Sequence, residues 1–164
     1  MLITTLLMAL HTTIATPAAD PAALLPIHAV ARAAASLSME PDYLARAMAA
    51  EAAGDLETAR REYVVAVALE RDSGRLPTEA AYGLAFVLNE QGKYRESAAV
   101  LEALANDASA KHDTDTEARA LLDALYLNSR AHRHAHARDN MERLTMLAKH
   151  PALAPSLRKR ITAI

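Results

Sequence analysis

The sequence predicts an all-α fold, a short α-solenoid of stacked antiparallel helix hairpins with a C-terminal capping helix. Three observations lead there. Residues 43–66 and 81–101 spell the same helix–turn–helix pattern. In each, a Gly (Gly54, Gly92) ends one helix, a polar residue follows, and a small residue sits five positions after the Gly. A large apolar residue comes four positions later, Tyr63 in the first and Leu101 in the second. A pattern returning after about 20–50 residues marks units that bury their faces against one another. Second, hydrophobic residues make up 52% of the chain but aromatics only 4%, with no Trp. Alanine supplies much of the difference; it is the best helix former and lets helices approach closely. Third, only 4 Gly and few β-branched runs speak against a sheet.

The chain of 164 residues is long enough for one domain with a core. With no Cys, disulfides, thiolate metal sites and a thiol nucleophile are excluded. The net charge of −2 is unevenly spread. Residues 1–128 carry 10 Lys/Arg against 18 Asp/Glu, and residues 129–164 carry 8 against 2. The basic end reads either as a last helix packed on an acidic body or as a patch for an anionic surface. Nucleic acid is not expected as a partner, because no aromatic residue lies in the basic segment to stack on bases.

Residues 1–19 form the first region. They contain no charged side chain, run apolar from Leu2 to Leu10, and end in Pro17-Ala18-Ala19. This resembles a secretory signal peptide cleaved near Ala18 or Ala19, although no Lys or Arg precedes the apolar run. Leu2, Leu6, Leu10 and Ile14 also recur at i+4, so an amphipathic docking helix is the alternative. A membrane span needs ~20 mainly apolar residues, and here five Thr and His11 interrupt. Residues 20–39 form a second region of linker and N-terminal helix: the stretch Thr16–Pro21, with Pro17 and Pro21, reads as the linker, and a helix follows from about Ile27 to Leu37. His28 reads as a surface residue of that helix.

Residues 40–164 form the third region, a helical domain. In its first hairpin the marker positions fall on Tyr43, Arg46-Ala47, Gly54, Ala59, Tyr63 and Ala66. In its second they fall on Ala81, Leu84-Ala85, Gly92, Ser97, Leu101 and Leu104. This sequence of large, small and turn positions resembles the tetratricopeptide repeat over residues 40–106. Gly ends the first helix in the left-handed conformation, and the small residues let the two helices touch. Two places depart from the family pattern: Arg46 stands where a Leu is usual, and Leu104 where a small residue is usual. Gly54 and Gly92 are 38 residues apart rather than the roughly 34 of an ideal unit. The excess fits the turn Asp72–Pro77, after which Thr78 is expected to cap the next helix with Glu79 in its first turn.

A degenerate third pair is expected over residues 115–150. Its first helix runs near Thr116–Leu127, and its second places Ala137, Met141 and Leu144 at the small–large–small positions. No Gly marks the turn between them. Pro151 and Pro155 end this pair, and Ser156 is expected to cap a final helix through Ile161.

The resemblance implies a binding groove lined by the first helix of each unit. Matching positions are Leu44, Met48 and Glu51 in the first unit, and Tyr82, Phe86, Asn89 and Glu90 in the second. Family subtypes that grip a terminal carboxylate use Lys and Asn where this chain has Leu44 and Met48. An apolar or amphipathic partner segment suits such a lining better. Residues 22–38 or the amino terminus filling the groove from within the chain is the competing occupant, and the chain's one Phe fits core and contact equally.

No nucleophile elbow, phosphate loop or paired His–Glu motif is present, so no enzyme activity, catalytic residue or cofactor is expected. His132 and His136 would share a face if both lay on one helix and are the one metal-like pair. Arg133 and Arg138 beside them repel cations, so no metal is expected there.

The expected function is a non-catalytic adaptor or scaffold that holds another protein in its groove. One alternative is a permanent structural subunit of a larger, membrane-associated complex held by its N-terminal apolar segment. A second is a surface of Arg133, Arg138, Arg143, Arg158, Lys159 and Arg160 that binds an anionic membrane or polymer. A cleaved leader implies a periplasmic or secreted protein; a retained one implies a cytoplasmic or membrane-associated protein, with residues 1–19 making any membrane contact.

Overall fold

A computed structural model describes residues 42–164. The leader, the linker and the helix expected over 27–37 lie outside the described residues. Seven α-helices follow in order: α1 Tyr43–Ala52, α2 Leu56–Asp72, α3 Thr78–Glu90, α4 Tyr94–Ala110, α5 Thr114–Arg130, α6 His134–Leu147 and α7 Pro155–Thr162. No strand occurs among the described residues. Each helix from α1 to α6 packs on its successor, α1 also touches α3, and α7 rests on α5 and α6. The fold is an all-α, solenoid-like stack of antiparallel hairpins with a capping helix.

One turn builds all five tight connections between α1 and α6. Each preceding helix closes on a residue with positive φ: Gly54, Gly74, Gly92, His112 and His132. In each case the N–H of the following residue reaches back five positions, as from Asp55 to the Ala50 carbonyl (2.9 Å) and from Arg133 to the Asn128 carbonyl (2.8 Å). This double closure of the last helical turn satisfies carbonyls that would otherwise be orphaned. Glycine fits the left-handed region freely. At His112 and His132 a side chain adopts it at some cost, which histidine tolerates better than bulky or β-branched residues. His132 therefore performs the turn for which the sequence shows no glycine.

Helix starts divide into two kinds. Asp42, Asp55 and Asp113 each accept a 3.0 Å hydrogen bond from the backbone N–H three residues on, capping α1, α2 and α5. The other four starts carry no side-chain cap. Two expectations need correction here. Thr78 is already inside α3, with Pro77 at the cap position, and Ser156 lies inside α7, which begins with Pro155. Proline's fixed φ and missing donor suit Pro155 to the first helical position of α7, and Pro77 holds the cap position of α3 without a side-chain cap bond. The first helix of the third pair is also longer than expected, starting at Thr114 beside its Asp113 cap and ending at Arg130.

The core follows the alanine pattern. Ala47, Ala59, Ala85, Ala98 and Ala124 are buried at helix crossings, while Leu84, Leu101, Leu104, Leu121 and Leu144 fill the volume between. Ser97 occupies a small-residue place and donates from its hydroxyl to the Ala85 carbonyl at 2.6 Å, which satisfies a buried polar group. Helix α6 is attached differently. It buries only Asn140 and Leu144 along its length, and a polar seam completes the contact. Glu102 accepts from the amides of Asn128 (2.7 Å) and Asn140 (3.2 Å). Arg143 donates to Glu117 (2.7 Å) and Asn106 (2.8 Å). Such directed bonds fix the register of a helix whose apolar stripe is too narrow to do so alone.

The cap is held by Leu153, Leu157 and Ile161, all buried, and by the Ala154 N–H donating to Asp115 at 2.9 Å. Among the described residues no helix is long and apolar enough to cross a membrane.

Candidate functional site

Six residues before its left-handed turn residue, each of the helices α1, α3 and α5 leaves a large side chain in water. These are Met48, Phe86 and Tyr126, counted back from Gly54, Gly92 and His132. They are 47%, 49% and 59% exposed. Each has a buried neighbour in sequence, Ala47, Ala85 and Leu127 respectively, so the exposure belongs to one face of each helix.

Around them lie two open recesses that share Phe86 as a wall. One, of about 430 Å³, is lined by Met48, Glu51 and Ala52 of α1, Leu56 and Tyr63 of α2, and Phe86 and Glu90 of α3. The other, of about 220 Å³, is lined by Tyr82, Phe86 and Asn89 of α3, Ser97 and Leu101 of α4, and Asp123, Tyr126 and Leu127 of α5. Of the seven groove residues expected from the sequence, Met48, Glu51, Tyr82, Phe86, Asn89 and Glu90 line these recesses. Leu44 does not. It is half-buried, packed against the core.

The polar groups of the groove are mostly acceptors. Glu51 accepts a 2.7 Å hydrogen bond from the Tyr63 hydroxyl. Burial, with Glu51 and Glu79 nearby, pushes the Tyr63 phenol well above its ordinary pKa, so it remains a donor. The Tyr82 hydroxyl and the Asn89 Oδ1 are buried and without a hydrogen-bond partner among the described residues. Burial first and the Asp123 charge second push the Tyr82 phenol up to about 12, with Arg119 and Arg160 opposing. Asp123 keeps an exposed edge, yet the loss of water around its carboxyl raises its pKa, and Arg160 offsets only part of this.

Asp123 and Tyr126 were not expected from the sequence. Their signal is the spacing to the turn, and it is hidden because His132 stands where the other two hairpins have Gly. The histidine pair is corrected by the same turn. His132 sits in the left-handed turn and His134 opens α6, so His132 and His136 do not share a helix. His136 Nε2 lies 2.6 Å from the Arg133 guanidinium, which can only donate. The ring proton is then on Nδ1, facing Glu102 at 3.4 Å, and both nitrogens are engaged. Among the described residues no group of three His, Asp or Glu is placed to hold a metal ion.

The six basic residues do not act alike. Arg133 donates to Asn128 and lies against His136, Arg143 pairs with Glu117, and Arg158 donates to the carbonyls of His150 and Leu153. Arg138, Lys159 and Arg160 are exposed. A comparison with models of protein families, with curated proteins and with solved structures finds no match to this chain.

Proposed function

We propose that this protein is a non-catalytic, tetratricopeptide-repeat-like adaptor that holds an apolar or amphipathic segment of another protein. The observation that carries the reading is the row of Met48, Phe86 and Tyr126, one exposed apolar side chain from the same place in each of three hairpins. Exposed area of this kind is stabilised when covered, at about 25 cal/mol per Å². A row of aromatic and Met anchors beside recesses is what a helix-in-groove or extended-segment mode uses. The apolar leader of residues 1–19 supports a periplasmic or secreted setting for this adaptor. A basic surface for an anionic polymer has less support, because three of its six residues are spent on bonds inside the fold.

The test is Phe86→Asp in the full chain, purified from its native host and compared with the unaltered protein. Phe86 is half exposed, whereas Tyr82 packs against the core, so Phe86 separates binding from folding. The expected result is loss of co-purifying partner with unchanged helical content and melting temperature. Retention of the same partners would overturn the groove.

A further inference from the structure

We propose that the segment held in this groove is cationic as well as apolar, with its apolar side chains on Met48, Phe86 and Tyr126 and its Lys or Arg side chains reaching Glu51, Glu90 and Asp123. This rests on the groove reading above and narrows the chemistry of the partner. The charged residues lining the first recess are Glu51 and Glu90, and the one lining the second is Asp123. All three are acids, and none of them forms an ion pair among the described residues. Their existing partners are neutral: Glu51 takes the Tyr63 hydroxyl, and Glu90 takes the Asn89 amide at 3.5 Å. That bond orients the Asn89 Oδ1 as a second acceptor, buried in the recess wall with no donor.

A lining of acceptors and unpaired carboxylates is complementary to N–H-rich cations and repels carboxylates. Of the chain's own cations near the second recess, Arg160 acts on Asp123 from a distance without forming an ion pair with it, and Arg130, beside Tyr126, is already committed. Its guanidinium lies 4.3 Å from the centre of the Tyr94 ring and donates to the hydroxyls of Tyr94 (2.8 Å) and Tyr126 (3.3 Å). Lys and Arg also suit the apolar part of the site, since their methylene stems cover aromatic surface while the charged head reaches outward.

The experiment is selection of random peptides of about 16 residues, long enough for a marginal helix, on the immobilised full chain at near-physiological salt. Parallel selections use the double variant Glu90→Gln/Asp123→Asn and the variant Phe86→Asp, each checked for unchanged helicity. The expected winners pair Lys or Arg with apolar residues at helical or alternate spacing. Their affinity should fall by about fivefold to tenfold on the double variant, as two partly exposed charge contacts are lost, and further with added salt. Winners without basic residues, or with unchanged affinity on the double variant, would overturn the cationic inference while leaving the groove standing. Winners indifferent to Phe86→Asp, or no winners, would overturn the groove itself.

Discussion

The ring of Tyr63 in α2 occupies the space that a β-carbon on Gly83 of α3 would need. The close approach is what brings the buried Tyr63 to within 2.7 Å of Glu51, so one glycine sets the spacing of α1, α2 and α3 beside the groove. Gly83→Ala is expected to destabilise the protein by about 1–3 kcal/mol, as overpacking does in a core that cannot give way. Alanine is otherwise the better helix former, so the sign of the effect is diagnostic. Chemical denaturation of Gly83→Ala alone and with Tyr63→Leu measures it, and the second change should recover much of the loss. Stabilisation by Gly83→Ala alone would show that the ring moves aside freely.

The two histidines at positive φ lead to the opposite sign. Gly54 and Gly92 adopt φ of 78° and 72° with open space around them, and His112 and His132 adopt 58° and 56°. His132→Gly should therefore raise stability by about 0.5–1 kcal/mol, the left-handed strain relieved less the extra freedom of glycine in the unfolded chain. Gly92→Ala should lower it by a similar amount. Thermal melts of both variants report this, and a loss on His132→Gly would mean that the imidazole has a role beyond the turn.

How much of this was legible in the sequence depends on which residues carried the signal. The first two hairpins are plain, because Gly54 and Gly92 declare their turns and the alanines declare their crossings. The third was blurred, because His132 makes the same turn with a residue that rarely makes it. Tyr126 and Asp123 were missed with it, since their place on the groove is defined only by distance from that turn. Arg143 looked like a surface charge; its partner Glu117 lies on another helix, and such pairs across helices leave no mark in local spacing. Leu44 falls on the same periodic stripe as the groove residues, but it is half-buried against the core and lines neither recess.

Glu102 is the keystone of the polar seam that holds α6. Replacing it by Ala leaves the amides of Asn128, fully buried, and Asn140, nearly so, without their acceptor. The expected loss is about 2–3 kcal/mol, the cost of orphaned buried donors, and Glu102→Gln should recover part of it. Hydrogen exchange should show the damage concentrated in α6 and α7. Uniform loss across all helices would contradict the seam as a local device.

Asp123 gives a pH signature. Its folded pKa is raised above the ordinary 3.8, burial being the cause. A carboxyl of this kind binds its proton more tightly when folded, so its contribution is favourable below 3.8 and is lost as pH rises through the raised value. Asp123→Asn should therefore raise the melting temperature at neutral pH, and the gain should vanish in acid below the ordinary carboxylate range. Asp55 and Glu57 run the other way. The Thr58 hydrogen bonds and the Arg60 guanidinium lower their respective pKa values, so the support they give is present above the ordinary carboxylate range and fades as the pH falls through the lowered values. Melts across the acid range distinguish the two. An Asp123→Asn gain that persists in acid would show packing, not charge, as its source.

On the proposed reading, Met48, Phe86 and Tyr126 face one partner together. A photo-crosslinking amino acid placed in turn at each position, and at exposed Arg138 on α6 as a control, tests it most directly in the native host. Crosslinks from all three positions to one segment of one other protein, with none from Arg138, are the expected result. Crosslinks from the three positions to residues 22–38 of the same chain, or equal labelling from Arg138, would contradict the account.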